Sequence, residues 1–280
     1  MTSSDYSKRF SGIQRLYGVE RANIIANAHV CVIGIGGVGS WVAEALVRSG
    51  IGQITLIDND DIALTNMNRQ IHTLSSTLGQ QKVLAMAERL LQINPELVVN
   101  VIDDFITVKT FEDFLSRGYD YVVDAIDSIK FKTLMINYCK RNKIPIITIG
   151  GAGGVTDPTK VEVVDLSRTY NDPLTANVRQ KLRQEFGFNR NLKRKFGVEC
   201  VYSTQQQVYP KDDGTVSQQK PGIHGVSLDC SFGYGASSCV TATFGFVAAA
   251  RVIEKLKDKS KAPPKALPKV ELKDKELPSS

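Results

Sequence analysis

The sequence predicts an α/β protein in which a mostly parallel sheet carries helices on both faces. In the first half, short apolar segments alternate with amphipathic helical patterns, and the first apolar segment leads through a glycine-rich turn into a helix. This alternation is typical of a parallel sheet that binds ligands at the carboxyl ends of its strands. With 280 residues, 42% of them hydrophobic and 23% charged, the chain has the size and composition of one large globular domain.

The first half contains five predicted strands and four predicted helices. The strands are short and apolar, and they are predicted at 29–33, 53–58, 98–102, 121–124 and 145–149. The helices have apolar residues three and four positions apart, and they are predicted at 40–48, 82–93, 110–116 and 130–142. The order of these elements indicates a Rossmann-like sheet.

The second half is predicted to extend the same domain. Segments 160–166 and 198–203 are predicted strands, and 175–186 is a predicted helix with Asp172 as its N-cap and Gly187 just beyond its end. The buried stripe of this helix repeats every four residues and consists of Leu174, Val178, Leu182 and Phe186.

The end of the chain divides into a core helix and a tail. The apolar segment 239–250 is predicted to be a core helix, because it is about half as long as a bilayer span. Residues 257–280 are rich in Lys and Pro with few apolar residues, which predicts a disordered tail.

Cysteine usage argues against two classes of protein. The five cysteines are scattered, odd in number and form no C-x-x-C pair, unlike a secreted disulfide framework or a structural zinc site. The N-terminus carries no apolar signal segment. We therefore expect a cytoplasmic protein without stable membrane insertion.

The glycine-rich turn after the first strand predicts a phosphate site. Its glycines, which let backbone approach a phosphate closely, are Gly34, Gly36, Gly37 and Gly39. Asp58 ends the second strand, where an acid accepts hydrogen bonds from ribose hydroxyls. These features alone fit NAD or ATP, with NAD the more frequent ligand.

The residues that follow favour ATP. Asn66 and Arg69 lie in NMNRQ, just past the acid, and Lys82 opens the next predicted helix. A triphosphate must be neutralised before an anionic nucleophile approaches, and Arg and Lys supply that charge. Asp127, in DAID after the fourth strand, is the predicted Mg²⁺ ligand, while Asp124 lies closer to the strand and is assigned a role in shaping the loop.

Together these motifs resemble the ubiquitin-activating-enzyme-like adenylating family of the ThiF/MoeB type. GIGGVG, the acid, NMNRQ, GQQK and DAID occur in the family's order and spacing over residues 9–155. The resemblance implies that Asp58 binds ribose, Arg69 and Lys82 bind phosphates with support from Asn66, and Asp127 binds Mg²⁺. It also implies a homodimer, in which Arg15 reaches the triphosphate of the other subunit.

A narrower resemblance concerns one branch of this family. RFSGIQRLYG, DDFIT, GGAGG, a basic middle segment and TATFGF resemble the branch that acts on threonylcarbamoyladenosine in tRNA. This resemblance runs to about residue 256, with 156–256 as the substrate region. It implies that ATP adenylates the substrate's carboxylate next to the anticodon, and that ring closure follows with net loss of water. A requirement for a monovalent cation is left open.

The basic segment between residues 168 and 195 predicts an RNA-binding surface. It holds eight basic residues against two acids, and a clustered positive charge is expected where a phosphate backbone binds. The candidate tRNA-binding residues are Arg179, Lys181, Arg183, Arg190, Lys193, Arg194 and Lys195. Phe188 and Phe196 are candidates for base stacking. The alternative is a solvated helix face with core phenylalanines.

Three alternatives to the tRNA enzyme are considered. An activator of a ubiquitin-like sulfur-carrier protein is disfavoured because C-x-x-C pairs are missing. A sulfur-relay adaptor would use Cys230, in DCSFGYGASS, as sulfur acceptor for a cysteine desulfurase, but a structural cysteine is favoured there. An NAD oxidoreductase lacks an evident hydride-transfer acid or base.

Overall fold

A computed structural model of the chain describes residues 4–211, 213–219 and 235–256. Its main sheet has seven strands: β1 (His29–Ile33), β2 (Gln53–Ile57), β3 (Val98–Ile102), β4 (Tyr121–Asp124), β5 (Ile146–Ile149), β6 (Val161–Asp165) and β7 (Glu199–Ser203). The strand order is β3-β2-β1-β4-β5-β7-β6. All neighbours pair in parallel except β6, which is antiparallel to β7. A separate hairpin joins β8 (Tyr209–Pro210) to β9 (Val216–Ser217).

Helices cover both faces of the sheet. Within the described residues they are α1 (Ser4–Arg9), α2 (Ser11–Tyr17), α3 (Val19–Ala26), α4 (Gly39–Arg48), α5 (Lys82–Ile93), α6 (Phe111–Leu115), α7 (Ile129–Arg141), α8 (Pro173–Glu185) and α9 (Ser238–Lys255). One buried cluster joins the sheet to α4, α5 and α9, and the other joins it to α6, α7 and α8. The predicted α/β fold is confirmed, and the predicted elements differ from the observed ones mainly at their ends.

The segment predicted as a core helix lies in α9, which packs closely on α4. A Cβ added at Gly245 would lie 2.6 Å from Trp41 Cβ, so the glycine lets the two helices approach. Val240, Phe244 and Ala248 are fully buried along the same helix. Within the described residues, no helix has both the length and the apolarity to span a membrane. The predicted tail, 257–280, lies outside those residues.

The second half extends the same sheet, and α8 is tied to it by its N-cap. Asp172 accepts hydrogen bonds from Thr175 N, at 3.1 Å, and from Gly151 N, at 2.9 Å, just past the end of β5. The predicted N-cap is therefore confirmed, and the same carboxylate also binds the glycine-rich segment that follows β5. A Cβ at Gly150 would lie 2.1 Å from Asp172 Oδ2, which explains a glycine there.

The topology places one site at the carboxyl edge of the sheet. From β1 the chain moves outward to β2 and β3, then returns to β4 on the other side of β1. Parallel sheets open a crevice at such a reversal, at the carboxyl ends of the two central strands. The loops that follow β1, β2 and β4 meet there.

Candidate active site

The turn between β1 and α4 is shaped by close backbone contacts. Gly34 has φ +87°, and a Cβ on it would lie 2.9 Å from Ile126 Cγ2. A Cβ on Gly39 would lie 1.8 Å from the Gly34 carbonyl oxygen. These two glycines are therefore required by the turn itself.

Gly36 has a different environment from Gly34 and Gly39. The nearest atom to a Cβ built there is Gln70 Nε2, at 3.9 Å, so the space above the turn is open. Helix α4 begins at Gly39 without a side-chain cap. An open turn at an uncapped helix N-terminus presents backbone N–H groups to an anion.

Asp58 lies directly beneath this turn. Its Oδ2 accepts a hydrogen bond from Ile35 N at 2.6 Å, and its Oδ1 accepts one from Asp60 N at 2.9 Å. Burial raises the pKa of the carboxyl, although both backbone hydrogen bonds and Lys82 oppose that shift. The carboxylate is thereby fixed between the ends of β1 and β2, where the sequence predicts the ribose ligand.

Lys82 begins α5 and reaches the same region. Its side chain is 7% exposed, and Nζ lies 2.6 Å from Asp60 Oδ2. The carboxylate of Asp60 is 60% exposed, so the ion pair stands at the boundary between protein and solvent. The lysine side chain is thus buried, and its ammonium pairs with a carboxylate at the protein surface.

Arg69 lies beside the glycine turn. The aliphatic part of its side chain is 3.3 Å from a Cβ built at Gly37, and its Nη1 donates to the Thr65 carbonyl at 2.8 Å. The indole of Trp41, on α4, donates to the Arg69 carbonyl at 2.9 Å. Arg69 is thus held against the glycine turn from both its side chain and its backbone.

Asn66 shapes the segment that carries Arg69. The residue is buried, its side-chain oxygen accepts from Ala63 N at 3.0 Å, and its carbonyl accepts from Arg69 N at 3.1 Å. The contacts seen here are those of a turn-forming residue. These contacts set the position of Arg69.

The acid that ends β4 and the acid in the loop after it have different environments. Asp124 is fully buried, and its Oδ2 accepts from Lys132 Nζ at 2.9 Å and from Thr148 Oγ1 at 2.6 Å. Asp127 lies three residues further on and is exposed in the loop before α7. Asp124 is therefore a structural residue at the end of β4, and the metal role of Asp127 stays a prediction for an exposed residue.

Lys132 is a residue that the sequence reasoning missed. It is fully buried on α7, where it neutralises Asp124 and holds the end of β4. It shares a helix face with the buried residues Met135, Ile136 and Cys139, at spacings of three, four and seven. That phase is the sequence signal that would have indicated a buried lysine.

The donor set fits a Mg²⁺ ion held mainly by phosphate oxygens. Among the described residues there is no group of three or more His, Cys, Asp or Glu side chains that could hold a metal by itself. Magnesium bound to nucleotides usually takes one or two carboxylates together with phosphates and water. An exposed carboxylate such as Asp127, in the loop that follows β4, is compatible with this pattern.

Arg15 lies outside the cluster formed by the other predicted site residues. It is exposed on α2, next to Leu16, whose exposed fraction is 71%. Val19, at the start of α3, is 64% exposed. The arginine thus stands in a segment with exposed apolar side chains.

Seven of the eight basic residues between 168 and 195 form two groups of cations. On α8, Arg179 donates to the hydroxyl of Thr169, Lys181 pairs with Glu185 at 3.0 Å, and the Arg183 guanidinium lies over the Phe196 ring. The other cations are exposed in the loop that follows α8: Arg190, Lys193, Arg194 and Lys195.

The stacking role proposed for Phe196 is wrong. Its side chain is 6% exposed and packs edge-on against Phe188, with 5.0 Å between the ring centroids. Phe188 is itself half-buried in this pair. Both rings belong to the second core cluster. Their packing anchors the basic loop to α8.

The cysteines in the described residues carry no evident chemistry. Cys31, Cys139 and Cys200 are buried, and burial raises the pKa of each thiol. Cys239 is exposed at the start of α9. Cys230, the candidate sulfur acceptor, lies outside the described residues.

Comparison with known proteins agrees with this geometry. The model of the ThiF family matches residues 8–275. The chain is 52% identical to the tRNA threonylcarbamoyladenosine dehydratase of Escherichia coli K12 over 259 residues, covering 92% of this chain and 97% of that protein. It is 53% identical over 252 residues to the protein of that name from Haemophilus influenzae, with 90% and 94% covered.

Two solved structures extend the comparison to the fold. A structure named TcdA (CsdL) superposes with a TM-score of 0.85 at 51% identity, covering 91% of this chain and 96% of that one. The E. coli dehydratase in complex with ATP superposes with a TM-score of 0.81 at 49% identity, again with 91% and 96% covered. The similarity thus covers the second half of the chain as well as the nucleotide site.

Proposed function

Because the chain belongs to the ThiF family, we propose that it is an ATP-dependent tRNA threonylcarbamoyladenosine dehydratase. The observation that carries the proposal is that an open glycine turn, two cations and the exposed Asp127 all follow the carboxyl ends of β1, β2 and β4. An NAD site has no use for the cations, whereas an adenylating site requires them. The relatives with this name match nearly the full length of their own chains.

The nucleotide is assigned to residues within 9–155. The glycines at 34, 36, 37 and 39 cradle the phosphates, and Asp58 accepts from the ribose. Arg69 and Lys82 neutralise the phosphates, with Asn66 setting the position of Arg69. Asp127 would hold Mg²⁺, which would supply positive charge to the phosphate oxygens.

The reaction has two steps. The carboxylate of the threonylcarbamoyl group attacks the α-phosphate, a new P–O bond forms, and pyrophosphate leaves. Two anions meet in this step, so the catalytic contribution of Arg69 and Lys82 is charge stabilisation. An atom of the substrate's own carbamoyl unit then attacks the acyl carbon and AMP leaves. Since nucleophile and acyl centre belong to one molecule, no protein nucleophile is needed.

The remaining assignments concern partners. Residues 156–256 form the substrate region, in which the basic loop after α8 contacts tRNA. The cations of α8 contribute less, because they are paired with other groups of the protein. The protein acts as a cytoplasmic homodimer in which Arg15 reaches the partner's triphosphate, an arrangement supported by the exposed apolar residues beside it. A monovalent cation and a sulfur-transfer partner for Cys230 are not needed by this scheme.

Pyrophosphate release tests the proposal against its alternative. Purified protein is incubated with Mg-ATP and either tRNA that carries threonylcarbamoyladenosine, the same tRNA without the modification, or a ubiquitin-like sulfur-carrier protein. We expect release with the modified tRNA alone, and Arg69→Ala and Asp127→Ala should abolish it. Release that requires the carrier protein instead would establish the sulfur-carrier activator and refute the dehydratase.

A further inference from the structure

The basic loop after α8, residues 189–197, is ordered by its own polar side chains. The side-chain oxygen of Asn189 accepts from Asn191 N at 2.8 Å, and that of Asn191 accepts from Lys193 N at 2.9 Å. Arg194 N donates to the Asn191 carbonyl at 3.0 Å. These successive turns give the loop a defined path and leave its charged side chains outward.

A single carboxylate fastens the end of this loop to the sheet. Asp165, the last residue of β6, accepts from Phe196 N at 2.9 Å through Oδ1, and from Gly197 N and Val198 N at 2.7 and 3.3 Å through Oδ2. Ser167 adds its own N–H and hydroxyl, at 3.0 and 2.6 Å. The carboxylate therefore receives five hydrogen bonds.

The ionised form of Asp165 is the form that these contacts favour. Burial alone would raise the pKa of the carboxyl, but the hydrogen bonds from Ser167, Phe196 and Gly197 outweigh it and lower the pKa. A carboxylate that accepts several backbone N–H groups is a strong fixed acceptor.

The loop holds like charges together without an acid of its own. Four exposed cations occur within six residues: Arg190, Lys193, Arg194 and Lys195. Residues 189–198 contain no Asp or Glu, and a fifth cation, Arg168, donates to the Lys193 carbonyl at 2.9 Å. Such a concentration of positive charge repels itself, and a polyanion relieves that repulsion.

We propose that residues 189–197 form a preorganised surface for the sugar–phosphate backbone of tRNA, and that Asp165 is the positioning residue that fixes its shape. The inference rests on the proposed function for the identity of the RNA. Because the loop is already ordered in the folded protein, binding does not cost the entropy of ordering it. More of the attraction between the cations and the phosphates therefore contributes to affinity. Asp165 touches no substrate and acts through residues 196–198.

Asp165→Asn tests the positioning role with little change in size. The variant places an NH₂ group where backbone N–H groups donate, so it removes acceptors and adds a donor. Asp157→Asn is the matched control, because Asp157 accepts from the N–H and hydroxyl of Thr159 in a similar turn at the other end of β6. Affinity for tRNA is measured by fluorescence anisotropy at several salt concentrations, and amide exchange is measured at 196–198.

We expect Asp165→Asn to weaken tRNA binding about tenfold and to speed exchange at 196–198, with Asp157→Asn close to wild type. The salt dependence of tRNA binding by Asp165→Asn should stay near that of the wild type, because the cations remain. If Asp165→Asn exchanges faster at 196–198 but binds tRNA with wild-type affinity, the positioning role is overturned. Unchanged amide exchange in this variant would overturn it as well.

The surface is tested separately by removing charge, which also covers the case in which Asp165→Asn does not fold. Replacing Lys193, Arg194 and Lys195 together by Ala should reduce the magnitude of the negative slope of log affinity against log salt by roughly two to three, because each lost phosphate contact removes about 0.7 to 0.9. An unchanged slope would refute the surface. Because these are binding measurements, a wild-type protein that binds tRNA through this loop but converts no nucleoside would refute the dehydratase alone.

Discussion

Lys132 Nζ lies 2.9 Å from Asp124 Oδ2, and both side chains are completely buried. The pair closes the end of β4, from which the chain passes through Ala125 and Ile126 under Gly34 to Asp127. A buried charge pair therefore sets the position of the loop that carries the proposed metal ligand.

Lys132→Met should destabilise the protein strongly. Among the described residues, it leaves the buried carboxylate with Thr148 as its remaining side-chain partner, and breaking a buried pair in this way costs about 3–5 kcal/mol. Denaturant unfolding measures the loss. Lys130→Met, an exposed lysine on the same helix, should stay within about 0.5 kcal/mol of wild type. Adding Asp124→Asn to Lys132→Met should restore part of the stability; a Lys132→Met protein as stable as the wild type would contradict this account.

Lys82→Met should reduce activity and leave stability nearly unchanged. Its partner Asp60 is 60% exposed and is solvated when the lysine is lost. Removing one charge-stabilising group from an active site typically costs about 10²- to 10³-fold in rate. Pyrophosphate release with modified tRNA measures the rate, and thermal unfolding measures the stability. A Lys82→Met variant that releases pyrophosphate at the wild-type rate would show that Lys82 has no catalytic role.

The glycines of the turn should respond differently to alanine. Gly39→Ala places a Cβ 1.8 Å from the Gly34 carbonyl oxygen, so we expect a loss of at least about 2 kcal/mol in unfolding free energy. Gly36→Ala meets open space and should fold normally, but its methyl group enters the phosphate cradle and should weaken ATP binding. Gly12→Ala, in α2 with no atom within 4 Å, is the control and should be neutral or slightly stabilising. Calorimetry of ATP binding and denaturant unfolding distinguish the three.

His72 should make the protein less stable in mild acid. Burial, assisted by Lys82 and Arg89, lowers its pKa from 6.5 to about 4, so the folded state holds the ring neutral. Between these two values the unfolded chain binds a proton that the folded protein does not, and stability falls as the pH is lowered. From pH 7 to pH 5 we expect a contribution of roughly 2 kcal/mol. The same loss in His72→Gln, measured by denaturant unfolding, would show that other groups cause it.

The sequence predicts the parts of the molecule that depend on local patterns. Periodicity located the strands and helices, and the glycine turn followed from a short motif with one backbone solution. The antiparallel pairing of β6 with β7 was not predicted, because strand patterns do not specify a neighbour. Burial of Phe196 and the clamp at Asp165 depend on contacts between segments 31 residues apart, which composition does not reveal. Lys132 was missed because charge was taken as a sign of exposure, although its helical phase indicates burial.

The most direct test of the account is the mass of the modified nucleoside itself. tRNA that carries threonylcarbamoyladenosine is incubated with the protein and Mg-ATP, digested under mild conditions and analysed by mass spectrometry. The account predicts a nucleoside lighter by one water, formed together with AMP and pyrophosphate, and absent with Arg69→Ala or Asp127→Ala. An unchanged nucleoside with the wild-type protein, under conditions in which ATP binds, would contradict it.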